Sequence, residues 1–192
     1  MTPQVWSTHA QQLAQERTEI RSGSDIWSFC LAAGLLRGGF AVFLDLDDFR
    51  SANTRLGRDG ADALLEKFWN RLLQILPPGA FGIRWSGNAF LLIVDVPDPS
   101  FRTLLRNMMQ PLQVGSQTSH CSAGCARTGS PTTLDACLDL SMRADGALTL
   151  AKKRGGNMAV LCNGPGQYDV LFCGMPSRRM YEPFDRTRFI ES

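Results

Sequence analysis

The sequence predicts an α+β fold in which a central, mostly antiparallel sheet is flanked by helices. Three observations carry that prediction. Across residues 60–76, Leu64, Leu65, Phe68, Leu72, Ile75 and Leu76 recur at intervals of three and four, the stripe of a core-facing helix. Residues 40–44 form a continuous apolar run of strand length. Two further short apolar runs, 80–85 and 89–94, flank Ser86-Gly87-Asn88, and a glycine in the first central position suits a type II′ hairpin turn.

The other elements follow in order. Residues 1–24 form a polar, helix-prone lead-in ending at the turn-rich Arg21-Ser22-Gly23-Ser24. Residues 26–36 read as a helix carrying Trp27, Cys30, Leu31 and Leu35, stopped by Gly38-Gly39. The first strand runs directly into Asp45-Leu46-Asp47-Asp48, and Pro77-Pro78-Gly79 closes the long helix. Asp98-Pro99 opens another helix, with Asp as cap and Pro in the first turn. Residues 117–127 read as one strand, 130–154 as a third long helix, and 157–162 as a last strand after Gly155-Gly156. The domain is therefore expected over 25–163, followed by an irregular tail at 164–192. Phe172, Tyr181, Phe184 and Phe189 in that tail are expected to dock on the domain or on a partner.

Composition narrows the function classes. A chain of 192 residues can bury a full core, and a net charge of +2 gives no basis for nucleic-acid binding. No apolar run approaches the ~20 residues of a membrane span. The N-terminal segment lacks the basic-then-apolar layout of a secretory signal, so the expected location is the cytoplasm, without membrane insertion. The six cysteines include no CxxC pair, and there are two histidines, so zinc-ligand spacing is missing. Buried free thiols are the expectation, with Cys121 and Cys125 on one face of a strand.

Three segments carry a family pattern. They are DLDDFRSANTRLGRDGADALL, then RWSGNAF, then RADGALTLAKKRGGN. In order and spacing they resemble the GGDEF (diguanylate cyclase) family, which writes them DxDxFKxxNDxxGHxxGDxLL, RxGGDEF and RADxALYxAKxxGRN. The resemblance spans roughly residues 25–163 and implies the palm-like nucleotidyl-cyclase fold. The family's DxLTGLxNR motif is not matched by QERTEIRSGSD. Active members condense two GTP molecules into cyclic di-GMP across a dimer, using divalent metals to neutralise developing charge.

Carried over residue by residue, Asp45 matches the metal-binding aspartate, with the Leu46 carbonyl beside it. An Asp at a strand end serves equally as a helix cap or a solvated loop residue. Asn53 and Asp62 match the pair that reads the guanine edge, since an amide donates and accepts while a carboxylate accepts from N1 and N2. The alternative is a turn-forming Asn53 and an Asp62 that complements a helix dipole. Ala61 and Ala63 replace the usual Gly and Glu around Asp62. Phe49 and Arg50 match the dipeptide near the terminal phosphates, and Lys152 matches the phosphate-contacting lysine. Gly156 stands in place of the last motif's arginine, with Lys153 and Arg154 as nearby charge.

The hairpin departs most. Arg84, Gly87 and Phe90 match, whereas Ser86 replaces the first glycine, Asn88 the metal-binding acid and Ala89 the glutamate. A neutral amide oxygen is a poor ligand for a hard cation, and alanine holds neither a proton nor a metal. The inhibitory RxxD set is replaced by Pro77-Pro78-Gly79-Ala80. Asp47 follows the family pattern, and Asp95 ends a strand.

The resulting expectation is a catalytically inactive, GGDEF-like regulatory or scaffold domain of cyclic di-GMP signalling, acting through a protein partner or a homodimer. It requires no cofactor. One alternative is a GTP sensor that binds without cyclising, with magnesium accompanying the nucleotide. Another is residual phosphotransfer using Asp45 and Asp47.

Overall fold

The computed structural model describes residues 5–6 and 23–175. Tyr181, Phe184 and Phe189 lie outside the described residues, as does most of the lead-in. The elements are β1 (Val5–Trp6), α1 (Gly23–Ala32), β2 (Phe40–Leu46), α2 (Phe49–Ile75), β3 (Phe81–Ser86), β4 (Ala89–Val94), α3 (Asp98–Met108), β5 (Leu112–Val114), β6 (Gln117–Ser119), β7 (Cys121–Arg127), α4 (Leu134–Lys153), β8 (Met158–Gly164) and β9 (Gln167–Cys173).

A seven-stranded sheet runs β1-β3-β4-β2-β7-β8-β9, and β5 with β6 forms a separate ribbon. All neighbouring strands of the large sheet are antiparallel except β7 and β8, which run parallel. That parallel pair needs a crossover, and α4 supplies it. The predicted α+β sandwich with a mostly antiparallel sheet is therefore the observed one.

β2 explains its own apolar run: it lies mid-sheet with helices on both faces. Phe40, Val42, Leu44 and Leu46 join α2 and α3 in one core, packing with Leu64, Phe68, Leu72 and Phe101. The alternate residues Ala41 and Phe43 join Trp27, Cys30, Leu140 and Ala144 in the other, as strand alternation requires. α4 meets β7 so closely that a Cβ on Gly124 would lie 2.1 Å from the Ala144 carbonyl oxygen. Cys121 and Cys125 are buried in the same core, and all six cysteines are free.

Several boundaries differ from expectation. α1 ends at Ala32 rather than at residue 36. α2 begins at Phe49 and consists of two helical segments meeting at a non-helical kink at Gly57 (φ 69°, ψ 179°), so Asn53 sits on a helix rather than in a loop. Asp98 does not cap α3: Pro97 holds that position, and the Asp98 carboxylate accepts from Arg127 at 2.6 Å. The single strand expected at 117–127 divides at His120 into β6 and β7, which belong to different sheets. α4 starts at Leu134, with the Thr133 hydroxyl accepting from the Ala136 amide.

The segment expected to be an irregular tail contributes an ordered strand. β9 pairs antiparallel with β8, and Phe172 packs against the larger core. At the 86–89 turn, positive φ falls on Gly87 (46°) and not on Asn88, the pattern of a type II′ turn. The Arg84 Nε donates to the Gly87 carbonyl at 2.7 Å and holds the turn to β3.

Register brings chemistry to one edge of the sheet. Asp45 is opposite Ala89 on one side and Ser122 on the other, while Leu46 faces Cys121. The end of β2, the β3–β4 turn and the start of β7 therefore meet there. The start of β8 joins them, because Ala123 is paired with Ala159.

Candidate functional site

A cavity of about 710 Å³ opens at that edge, lined by the end of β2, the first turn of α2, Asn88 and Lys152. Asp45, Leu46, Phe49, Arg50, Asn53 and Lys152, singled out in the sequence, all line it. They come from two separate motifs, Asn88 adds the third, and the fold gathers them.

At its floor, the Asp45 carboxylate is only 13% exposed. Lys152 Nζ lies 2.6 Å from Asp45 Oδ1. The Asn88 side-chain nitrogen donates to the same oxygen at 2.5 Å and to the Leu46 carbonyl at 2.8 Å. One amide thus bridges the two oxygens that match the family's metal ligands. Burial raises the Asp45 pKa above its ordinary value; the Lys152 and Asn88 hydrogen bonds pull the other way without cancelling it, and the nearby Asp47 charge adds to the rise.

Asp62 lies elsewhere. It lines a second cavity of about 420 Å³ with Leu65, Glu66, Trp69, Arg84 and Phe90. Asn53 and Asp62 share α2 but stand on opposite sides of the break at Gly57, and they line different cavities. In the second cavity, Trp69 is stacked on Phe90 with centroids 5.5 Å apart. Of the hairpin residues, Ser86 and Gly87 are exposed, Asn88 and Ala89 are half-buried, and Phe90 is buried.

Asp47 has a bracing position. Its Oδ1 accepts from Ser122 Oγ at 2.7 Å and its Oδ2 from the Asn157 amide at 2.6 Å. Gly156 has φ of 76°, and a Cβ there would sit 2.8 Å from the Asp47 carboxyl carbon. The missing arginine thus coincides with a backbone that has turned left-handed against Asp47. Asn157 also ties down the chain after β9, donating from Nδ2 to the Met175 carbonyl at 2.7 Å. Sequence reasoning missed Ser122, a serine in a small-residue strand that gives no distinctive signal, and gave no role to Asn157, although it matches the final asparagine of the third motif.

Comparison with known proteins agrees with this architecture. The family described as "Diguanylate cyclase, GGDEF domain" matches residues 37–158. Cyclic di-GMP phosphodiesterase NbdA of Pseudomonas aeruginosa is 30% identical over 131 residues, covering 65% of this chain and 17% of that protein. Signaling protein YkoW of Bacillus subtilis is 29% identical over 119 residues, covering 58% of this chain and 15% of its own length. The chain therefore spans only about a sixth of the curated relatives it matches. Among solved structures, diguanylate cyclase SiaD in complex with its activator SiaC, from Pseudomonas aeruginosa, superposes with a TM-score of 0.62 at 21% identity. That match covers 80% of this chain and 65% of SiaD. The chain belongs to the GGDEF family.

Proposed function

We propose that this member of the GGDEF family is a regulatory domain of cyclic di-GMP signalling that does not itself make cyclic di-GMP and works through a protein partner or a second copy. The observation that carries the reading is Asn88. Where cyclisation needs an acidic side chain to gather positive charge, this chain places an amide that donates hydrogen bonds. Ala89 beside it supplies no acid or base. Phosphoryl transfer depends on positioning and charge neutralisation, so this exchange removes its main electrostatic support. The SiaD complex with its activator is a precedent for protein partnership within this fold. The test is incubation with GTP and magnesium or manganese, followed by chromatographic separation. No cyclic di-GMP is expected, and stoichiometric accumulation would overturn the reading.

A second reading is favoured by the larger cavity. With Phe49, Arg50, Asn53 and Lys152 on its wall, it offers an apolar ring, an amide and two cations to a guanine nucleotide bound without cyclisation. Titration calorimetry with GTP decides it, and a flat trace at millimolar nucleotide removes it.

A further inference from the structure

We propose that the larger cavity takes the phosphate of a guanine nucleotide without a divalent cation, Lys152 and the Asn88 amide filling the place of the metal; this rests on the nucleotide-binding reading above. Hard cations require several oxygen ligands, carboxylates foremost. Here the oxygens matching the family's metal ligands are those of Asp45 and Leu46, and both already accept from the Asn88 amide nitrogen; Asp48 is the one further carboxylate on the cavity wall. For Asn88 to become a ligand it must rotate its amide and break two hydrogen bonds, gaining one neutral oxygen. An entering cation must also displace the Lys152 ammonium from Asp45. Among the described residues, no group of three or more His, Cys, Asp or Glu side chains is placed to hold a metal. The donor set does not fit a divalent ion.

It does fit an anion. An ammonium has three N–H donors, so Lys152 can keep one on Asp45 and offer two to phosphate oxygens. Arg50 lines the same wall in the first turn of α2; that turn holds no acidic residue of its own, and Asp48, the residue before it, is the one other carboxylate on the cavity wall besides Asp45. The positive end of the helix dipole adds to the same field. The negative charge of Asp45 is already matched inside the protein, so the ligand needs no metal to shield it from that carboxylate.

Two measurements on the whole chain separate this proposal from the reading beneath it. In the first, metal-free protein is titrated with Mn²⁺ alone and free ion is followed by electron paramagnetic resonance. The wild type is expected to show no site, and Asn88→Asp one site per chain binding at least about tenfold tighter. A tight wild-type site, or an Asn88→Asp protein that binds no better, overturns the proposal. The wild-type arm needs no variant to fold. In the second, GTP is titrated calorimetrically in chelator and in magnesium. Affinity is expected to agree within about threefold, and a tenfold or greater gain with magnesium overturns metal independence. Absence of heat in both buffers removes the nucleotide reading itself, while the Mn²⁺ result still judges the exclusion of metal.

Discussion

Asn88 donates its side-chain amide to Asp45 Oδ1 across the β2–β4 pair, and the same nitrogen reaches the Leu46 carbonyl. A carboxylate at position 88 would reverse that contact, setting two acids against each other at a half-buried floor. Asn88→Asp is therefore expected to lower stability at neutral pH by about 1–3 kcal/mol, as for loss of a buried polar partner. Like charges also raise one carboxyl pKa of the pair, so the deficit should shrink as pH falls toward 5 and protonation relieves the repulsion. Urea melts of both proteins at several pH values check this; a variant as stable as wild type at pH 7 would contradict the contact.

Asp45 itself gives a second pH signature. Its pKa is raised in the folded state above the ordinary 3.8, chiefly by burial. The native state then holds the proton more tightly than the unfolded chain, so the stabilising term is present at low pH. It is lost as pH rises from the ordinary value through the raised one. Asp45→Asn cannot titrate, so that downward slope should vanish from its stability profile. Denaturant melts across the acid range compare the two slopes, and identical slopes would remove Asp45 as their source.

Much of this was legible in the sequence, for a definite reason. β2 and α2 bury apolar side chains at their natural periods, so Phe40, Leu44, Leu64 and Phe68 announce both elements. β9 was not legible because it is an edge strand with no fully buried side chain, alternating polar Gln167 and Asp169 with half-buried neighbours. The gathering of Asp45, Asn53 and Lys152 into one cavity followed from motif order. The placement of Asp62 did not, because it depends on the backbone break at Gly57. Asp98 misled in another way: a cap is a local preference, and a guanidinium from β7 outcompeted it.

Gly156 joins conformation to packing. Its φ of 76° is costly for an L residue, and an added Cβ meets the Asp47 carboxyl carbon at 2.8 Å. Gly156→Ala is therefore expected to destabilise the fold by about 1–3 kcal/mol. Asp47 would have to give up Ser122 or the Asn157 amide to make room. Urea denaturation measures the loss, and an unchanged midpoint would exclude this strain.

The thiols divide by burial. Burial pushes Cys30 and Cys121 up to about 12 and raises Cys125 and Cys137 as well, whereas Cys173 is exposed at the end of β9. Thiolate is the reactive form, so a disulfide reagent at pH 8 should modify one of the six cysteines rapidly in the native protein. Cys173→Ser should abolish that fast phase, and urea should release the rest. Two or more fast thiols in the wild type would contradict the packing.

Arg71 closes the C-terminal end of α3. Its Nη1 donates to the Gln110 carbonyl at 2.5 Å and its Nη2 to the Met108 carbonyl at 2.9 Å. Helix ends leave such carbonyls unpaired, and a guanidinium satisfies two at once while binding α2 to the segment before β5. Desolvation by burial lowers its pKa from the ordinary arginine value. Arg71→Ala leaves the part-buried Met108 carbonyl without that donor, while water can reach the exposed Gln110 carbonyl, and is expected to cost about 1–2 kcal/mol. Arg71→Lys, which keeps the charge but loses the fork, should recover only part of it. Parallel urea melts of the two variants test the claim, and full recovery by lysine would show that charge rather than geometry holds the helix end.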